Sequence, residues 1–249
     1  RAKAKQGSCR LVVRAAQARM DAVSRAEVMR LARDGKHQEA LQTIQRALNV
    51  KRSAFGRQSP EAIHAAATCV RTCNSLALES MRFGTASFST DAAYVYLQWA
   101  LKIPHTSAAL QAATLNNMSI YYARTGQPKA ALRCLKQVSS QAGAAKADHV
   151  VVHVSLNMST VLADLGRHHE ALDAAQEAIR VLTANMVSTQ APAEPFAKRA
   201  SPSAVDASLL SAAYHNLAVQ QERLGATQVH VHSYRAAALQ ARRNGAAPA

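Results

Sequence analysis

LNNMSIYYARTGQPKAALRCL, residues 115 to 135, and SLNMSTVLADLGRHHEALDAA, residues 155 to 175, superimpose without a gap at a spacing of 40 residues. Each carries Asn, Met and Ser in succession, a Gly seven residues beyond the Ser, and an Ala five residues beyond the Gly. The pairs are Gly126 with Ala131 and Gly166 with Ala171. Self-similarity at a fixed period marks a repeat array. The same template finds VMRLARDGKHQEALQTIQRAL around Gly35, CNSLALESMRFG around Gly84 and YHNLAVQQERLGATQVHVHSY around Gly225, so that five units emerge with Gly-to-Gly distances of 49, 42, 40 and 59.

Each unit reads as helix, tight turn, helix, the Gly supplying the left-handed backbone that ends the first helix. Small residues recur where the two helices of a unit would cross: Ala77, Ser119, Ser159 and Ala218 in the first helix, Ala40, Ala93, Ala131 and Ala171 in the second. Leu76, Met118, Met158 and Leu217, with Ile44, Leu97 and Leu135, are expected to fill the space between units. One hairpin cannot bury such residues alone, so neighbouring units must stack. Composition agrees: 54 of 249 residues are Ala and only 4% are aromatic, which is helix chemistry and excludes a β-sandwich or barrel.

The string ATLNNMSIYYARTGQPKAAL (113 to 132) resembles the tetratricopeptide repeat, and most of all the long-spaced repeats of kinesin light chains. The resemblance extends over about residues 21 to 243 and departs from the pattern in two units. Phe83 to Asp91 lengthens the turn of unit two, and His230 takes the small position in unit five. It implies an all-α fold, a TPR-type right-handed α-solenoid of about five helix-turn-helix units. The organisation expected is a basic extension over 1–20, units one to four over 21–187, a Pro-containing insertion loop over 188–204, unit five over 205–243 and a tail over 244–249.

Lys and Arg number 30 against 15 acidic residues, a net charge of +15, and 21 of the 30 are Arg. Guanidinium groups pair bidentately with carboxylate or phosphate, so an acidic protein surface or RNA is the expected partner. Residues 1 to 20 hold six bases and no acid; they read as a basic helical extension, or as a mitochondrial transit segment, of a chain whose numbering begins inside a longer protein. Four cysteines without a CxxC pair point to a reducing compartment. No apolar run has the length of a membrane helix, and no membrane partner is expected.

Phosphate-loop, GxGxxG, GxSxG and HExxH motifs are absent from the sequence. Cys69 with Cys73 and His149 with His153 are each four apart, a two-ligand spacing that packing residues explain equally. His168, His169, His230 and His232 are read as facing water. Asp173 and Glu177 have the spacing of ordinary exposed helix residues. The chain is therefore read as non-enzymatic, with no catalytic residue, no metal and no cofactor.

In repeats of this family the first helices line the concave face. With each Gly as position fifteen, position thirteen is Arg33, Arg82, Arg124, Asp164 and Arg223, and positions five and six supply Asn74, Asn116, Asn117, Asn157 and Asn216. The resemblance implies that Asn there holds a ligand's extended backbone while the cations take its acidic groups. Two structural readings stand beside this: the Asn amides bond to the adjoining unit, and the Arg balance the negative end of the helix. Further basic patches are Lys51, Arg52 and Arg57, and Lys198 with Arg199 on the insertion.

The leading expectation is a protein-interaction scaffold within a larger, cytoskeleton-associated cytoplasmic assembly, docking on acidic protein such as tubulin or another assembly subunit. The alternative is a mitochondrial ribonucleoprotein component contacting RNA phosphates. Tyr94, Tyr96, Tyr121, Tyr122 and Trp99 fall at packing positions, which disfavours base stacking. A carboxylate-clamp adaptor would need bases at position two or nine, where only Arg71 fits.

Overall fold

A computed structural model describes residues 25–82, 89–104, 107–141, 148–188, 204–226 and 229–245. These residues form helices α1 (25–33), α2 (His37–Phe55), α3 (Pro60–Ser80), α4 (Thr90–Lys102), α5 (Ala108–Arg124), α6 (Pro128–Gln141), α7 (Asp148–Asp164), α8 (His168–Ser188), α9 (Ala204–Arg223) and α10 (Val229–Gly245). No strand occurs among the described residues. The fold is all-α and TPR-type, as expected, with α1, α5, α7 and α9 ending two residues before the Gly of the template and α3 ending earlier, at Ser80. None of the described helices is long and apolar enough to cross a membrane.

One turn geometry is used four times. The Gly166 N–H donates to the Ala163 carbonyl (2.9 Å) and the Arg167 N–H to the Leu162 carbonyl (2.9 Å). Gly126 and Gln127 do the same toward Ala123 and Tyr122, Gly35 and Lys36 toward Ala32 and Leu31, and Gly225 and Ala226 toward Glu222 and Gln221. This paired bonding satisfies the last carbonyls of the first helix and requires a left-handed residue. At Gly126 and Gly166 φ is +72°. A Cβ at Gly166 would meet nothing within 4 Å, so the cost of Gly166→Ala is backbone strain alone, expected at about 1–2 kcal/mol. Gly166→Asn should recover part of it, and chemical denaturation of the two variants measures the difference. Gly84 lies outside the described residues; across that longer connection the Ser89 N–H donates to the Ser80 carbonyl (2.9 Å).

Helix starts are local chemistry. Ser59 accepts from the Ala62 N–H (3.1 Å) ahead of Pro60, and Ser89 from the Ala92 N–H (3.2 Å); each hydroxyl satisfies one orphan donor of a first turn.

Contacts divide the chain into two compact units, Arg1–Asn117 and Met118–Ala249, the boundary falling within α5. In the first, α3 packs on α2 and α4. Ala40, Ile44 and Leu48 of α2 form its buried stripe, four residues apart. Ala77, Ala93 and Leu97 are buried completely and Leu76 almost so. Tyr96 is buried too, its hydroxyl 3.3 Å from both the His37 carbonyl and His37 Nδ1.

In the second unit α7 packs on α6, α8 and α9, and α9 on α8 and α10. Val152 and Leu156 of α7, Ala178, Val181 and Leu182 of α8, and Leu210 and Ala213 of α9 form one apolar cluster. Ala131, Ser159, Ala171 and Ala218 are buried as the repeat pattern requires. The Ser159 hydroxyl oxygen has no hydrogen-bond partner, so that position selects for size and not for a polar contact. Tyr94 departs from its reading as a packing residue and lies at the surface, its hydroxyl accepting from Gln98 Nε2 (3.1 Å).

Candidate functional site

Among the described residues α1, α5, α7 and α9 each run into a Gly turn, and that register fixes the residue at the helix end. In the first unit Arg33 is the last residue of α1, and Arg82 follows α3; both are exposed. Arg82 lies 3.3 Å from Glu79, an exposed pair one helical turn apart, of a kind that holds a side chain only weakly. In the second unit Arg124 and Arg223 stand in the last turns of α5 and α9, and both are exposed. Asp164 holds the equivalent place on α7. An arginine so placed also offsets the negative helix end, so the position has a structural use in addition to its exposure.

The asparagines divide. Asn74 is buried, and its Nδ2 donates to Thr114 Oγ1 (2.9 Å) on the adjoining first helix α5. Its Oδ1 has no partner. A ligand backbone would have to break the Thr114 bond to use that amide, and the Asn74 N–H group is therefore structural in this conformation. Asn117 is also buried. Asn116, Asn157 and Asn216 are half-buried. Asn216 Nδ2 stands 3.5 Å from the Leu156 carbonyl and from Thr160 Oγ1, both on α7, so it too faces the neighbouring first helix.

Lys51 and Arg52 are half-buried at the end of α2, and Arg57 is exposed just beyond it. Gly56, with φ +84°, separates them. Lys198 and Arg199 lie outside the described residues, as does most of the 188–204 insertion.

His168 does not face water as read from the sequence. It is half-buried, with Nδ1 2.9 Å from Gln220 Oε1, which ties α8 to α9. His230 is also half-buried, its Nδ1 donating to the Ala226 carbonyl (3.2 Å) and its ring edge-on to Tyr234. His169 and His232 are exposed. Cys73 is buried completely; burial pushes its thiol well above the usual range and Cys69 adds to this. A thiol held protonated is a packing group and a poor nucleophile. His153 is shifted down by burial and secondarily by His149. Among the described residues no three His, Cys, Asp or Glu side chains are placed to hold a metal ion.

Two grooves open between successive second helices. In the first unit one of about 460 Å³ runs from Gly35 to Gln42 of α2 across to Asp91, Val95 and Tyr96 of α4. In the second unit a larger one, about 530 Å³, lies between α6 and α8 over α7. Its floor includes Val138, Val151, Val154, Met158 and Leu162, and one wall carries Glu170, Asp173 and Glu177. The sequence signal for this wall, acids three and four apart on one helix, was visible; that α6 supplies an apolar edge beside it was not.

Residues 110–184 match the family model of the tetratricopeptide repeat. Comparison with curated proteins finds no match. The matched segment spans nearly all of α5 and α6 and most of the pair α7 and α8, the two pairs whose Gly turns share the same bonding and the same φ. On that match and on this repeated helix, turn and helix construction, residues 110–184 are tetratricopeptide repeats.

Proposed function

We propose that this repeat protein is a non-enzymatic scaffold whose first helices take up acidic protein segments. One observation carries the reading: three of the five first helices end in an exposed arginine, and an exposed arginine follows a fourth, α3, at the equivalent sequence position. Arg33 and Arg82 serve the first unit, Arg124 and Arg223 the second. A fork of N–H donors at a repeated position suits carboxylates presented at intervals along a partner chain. Asn116 and Asn157 are half-buried on the first helices α5 and α7, whereas Asn74 and Asn216 meet neighbouring first helices. Lys51, Arg52 and Arg57, and Lys198 with Arg199, add steering charge in a chain of net +15. The resemblance of residues 113 to 132 to kinesin light chains, taken with that charge, favours a cytoskeletal setting and an acidic partner of the tubulin kind.

Titrating the full chain with a fluorescent Glu-rich peptide tests this. Arg124→Glu and Arg223→Glu are each expected to weaken binding about tenfold, about 1.4 kcal/mol, with helicity unchanged by circular dichroism. If these arginines serve only the helix ends, the variants will melt slightly lower and bind the peptide as before. Retention of generic RNA at near-physiological salt, with displacement of the acidic peptide, would replace the acidic-protein reading by a phosphate-binding one.

A further inference from the structure

The groove between α6 and α8 has a character opposite to the rest of the chain. The protein carries twice as many bases as acids, yet three of its 15 acids, Glu170, Asp173 and Glu177, line this one groove. They lie three and four residues apart on α8, one stripe of about 10 Å along the helix. Beneath them the surface is apolar. Val151 and Met158 are half-buried at the floor, over the buried Val138, Val154 and Leu162. Met158 accepts a contact from the Ser139 hydroxyl (3.8 Å), and an unbranched thioether adapts its shape to what is laid on it.

We propose that this groove docks a cationic amphipathic helix of a partner protein. The partner's apolar stripe would lie on Val151 and Met158, and its Lys or Arg residues, spaced three or four apart, would meet the α8 carboxylates. Charge complementarity argues for this occupant. An apolar groove with one acidic wall matches a helix whose apolar face is bordered by bases, while an acidic segment would be repelled from that wall. The local cations do not close the site. Arg167 is bonded to Glu170 through both Nε and Nη2, and Arg180 pairs with Glu177 at 2.6 Å. Both are exposed pairs three residues apart, one at the start of α8 and one within it, of the kind that exchange partners at little cost. Lys136 adds positive charge near Glu170. Asp173, exposed between the two pairs, is the carboxylate best placed to meet the incoming base. This surface is walled by the second helices α6 and α8 over a floor from α7, and none of the arginines of the first helices lines it.

The experiment uses the full chain and a fluorescent helical peptide of about five turns, with leucines along one face and lysines beside them. Because the chain is strongly cationic, non-specific attraction works against binding of this probe. Asp173→Lys with Glu177→Lys is expected to weaken binding at least about tenfold, and Met158→Gln to weaken it by about threefold or more, with unchanged melting curves as the folding check. Glu61→Lys on α3 makes the same change per site in net charge and is expected to leave binding as it was. Equal loss in Glu61→Lys, full binding by the double reversal, or equal binding of a peptide with glutamates in place of lysines would each overturn the proposal. So would self-association of the chain that the double reversal abolishes, since the occupant would then be a second copy.

Discussion

Leu97→Ala is expected to destabilise the first unit by about 2–5 kcal/mol. Leu97 is completely buried on α4, on the same face as Ala93 and Ala100, and α4 rests on α3. Deleting its branched end removes the transfer free energy of three carbons and leaves a space that its neighbours are poorly able to close. Ala93 and Ala77, both completely buried, are too short to reach into it, and Tyr96 is held by its hydroxyl at His37. A domain of this size is stable by about 5–15 kcal/mol, so the loss is a large fraction of the total. Urea denaturation followed by circular dichroism checks it. A change below about 1 kcal/mol would mean that α4 presents a different face to α3.

Ala171→Leu is expected to destabilise the second unit by about 1–3 kcal/mol, for the opposite reason. Ala171 on α8 and Ser159 on α7 are both completely buried, and these helices pack directly on one another. Close approach of the axes leaves no space for two further methyl groups and their branch carbon, so the helices must separate or the side chain must leave its rotamer. Gln176, exposed on the same helix, supplies the control. Gln176→Leu should change stability by no more than about 0.5 kcal/mol. Equal melting temperatures for the two variants would show that the close crossing is not at Ala171.

The turns were legible in the sequence because their chemistry is local. A left-handed residue is required within a few positions of the last helical carbonyls, and Gly35, Gly126, Gly166 and Gly225 announce it. The small positions were legible for a related reason: identical hairpins need close axes at the same register, so Ala40, Ala131 and Ala171 recur five residues after the glycine. Gly56 was not picked out, although its φ is +84°. It ends α2 between units, where the repeat template carries no glycine.

What the sequence left open are pairings between residues that stacking brings together. Asn74 meets Thr114 forty positions away, and His168 meets Gln220 across fifty-two. Periodicity assigns a residue to a face but cannot say whether a polar group there meets water or the next helix. The α8 acids show the same division. Their spacing marked Asp173 and Glu177 as ordinary exposed helix residues, while only the placing of α6 beside them made these acids, with Glu170, the wall of an apolar groove. The sequence by itself thus determined the helices, their turns and the close crossings, since these depend on backbone conformation and side-chain size within one repeat. Tertiary structure decided which asparagines and histidines are consumed by neighbouring helices and which charged faces border apolar surface, because burial and polar pairing are properties of two surfaces and a repeat pattern describes one.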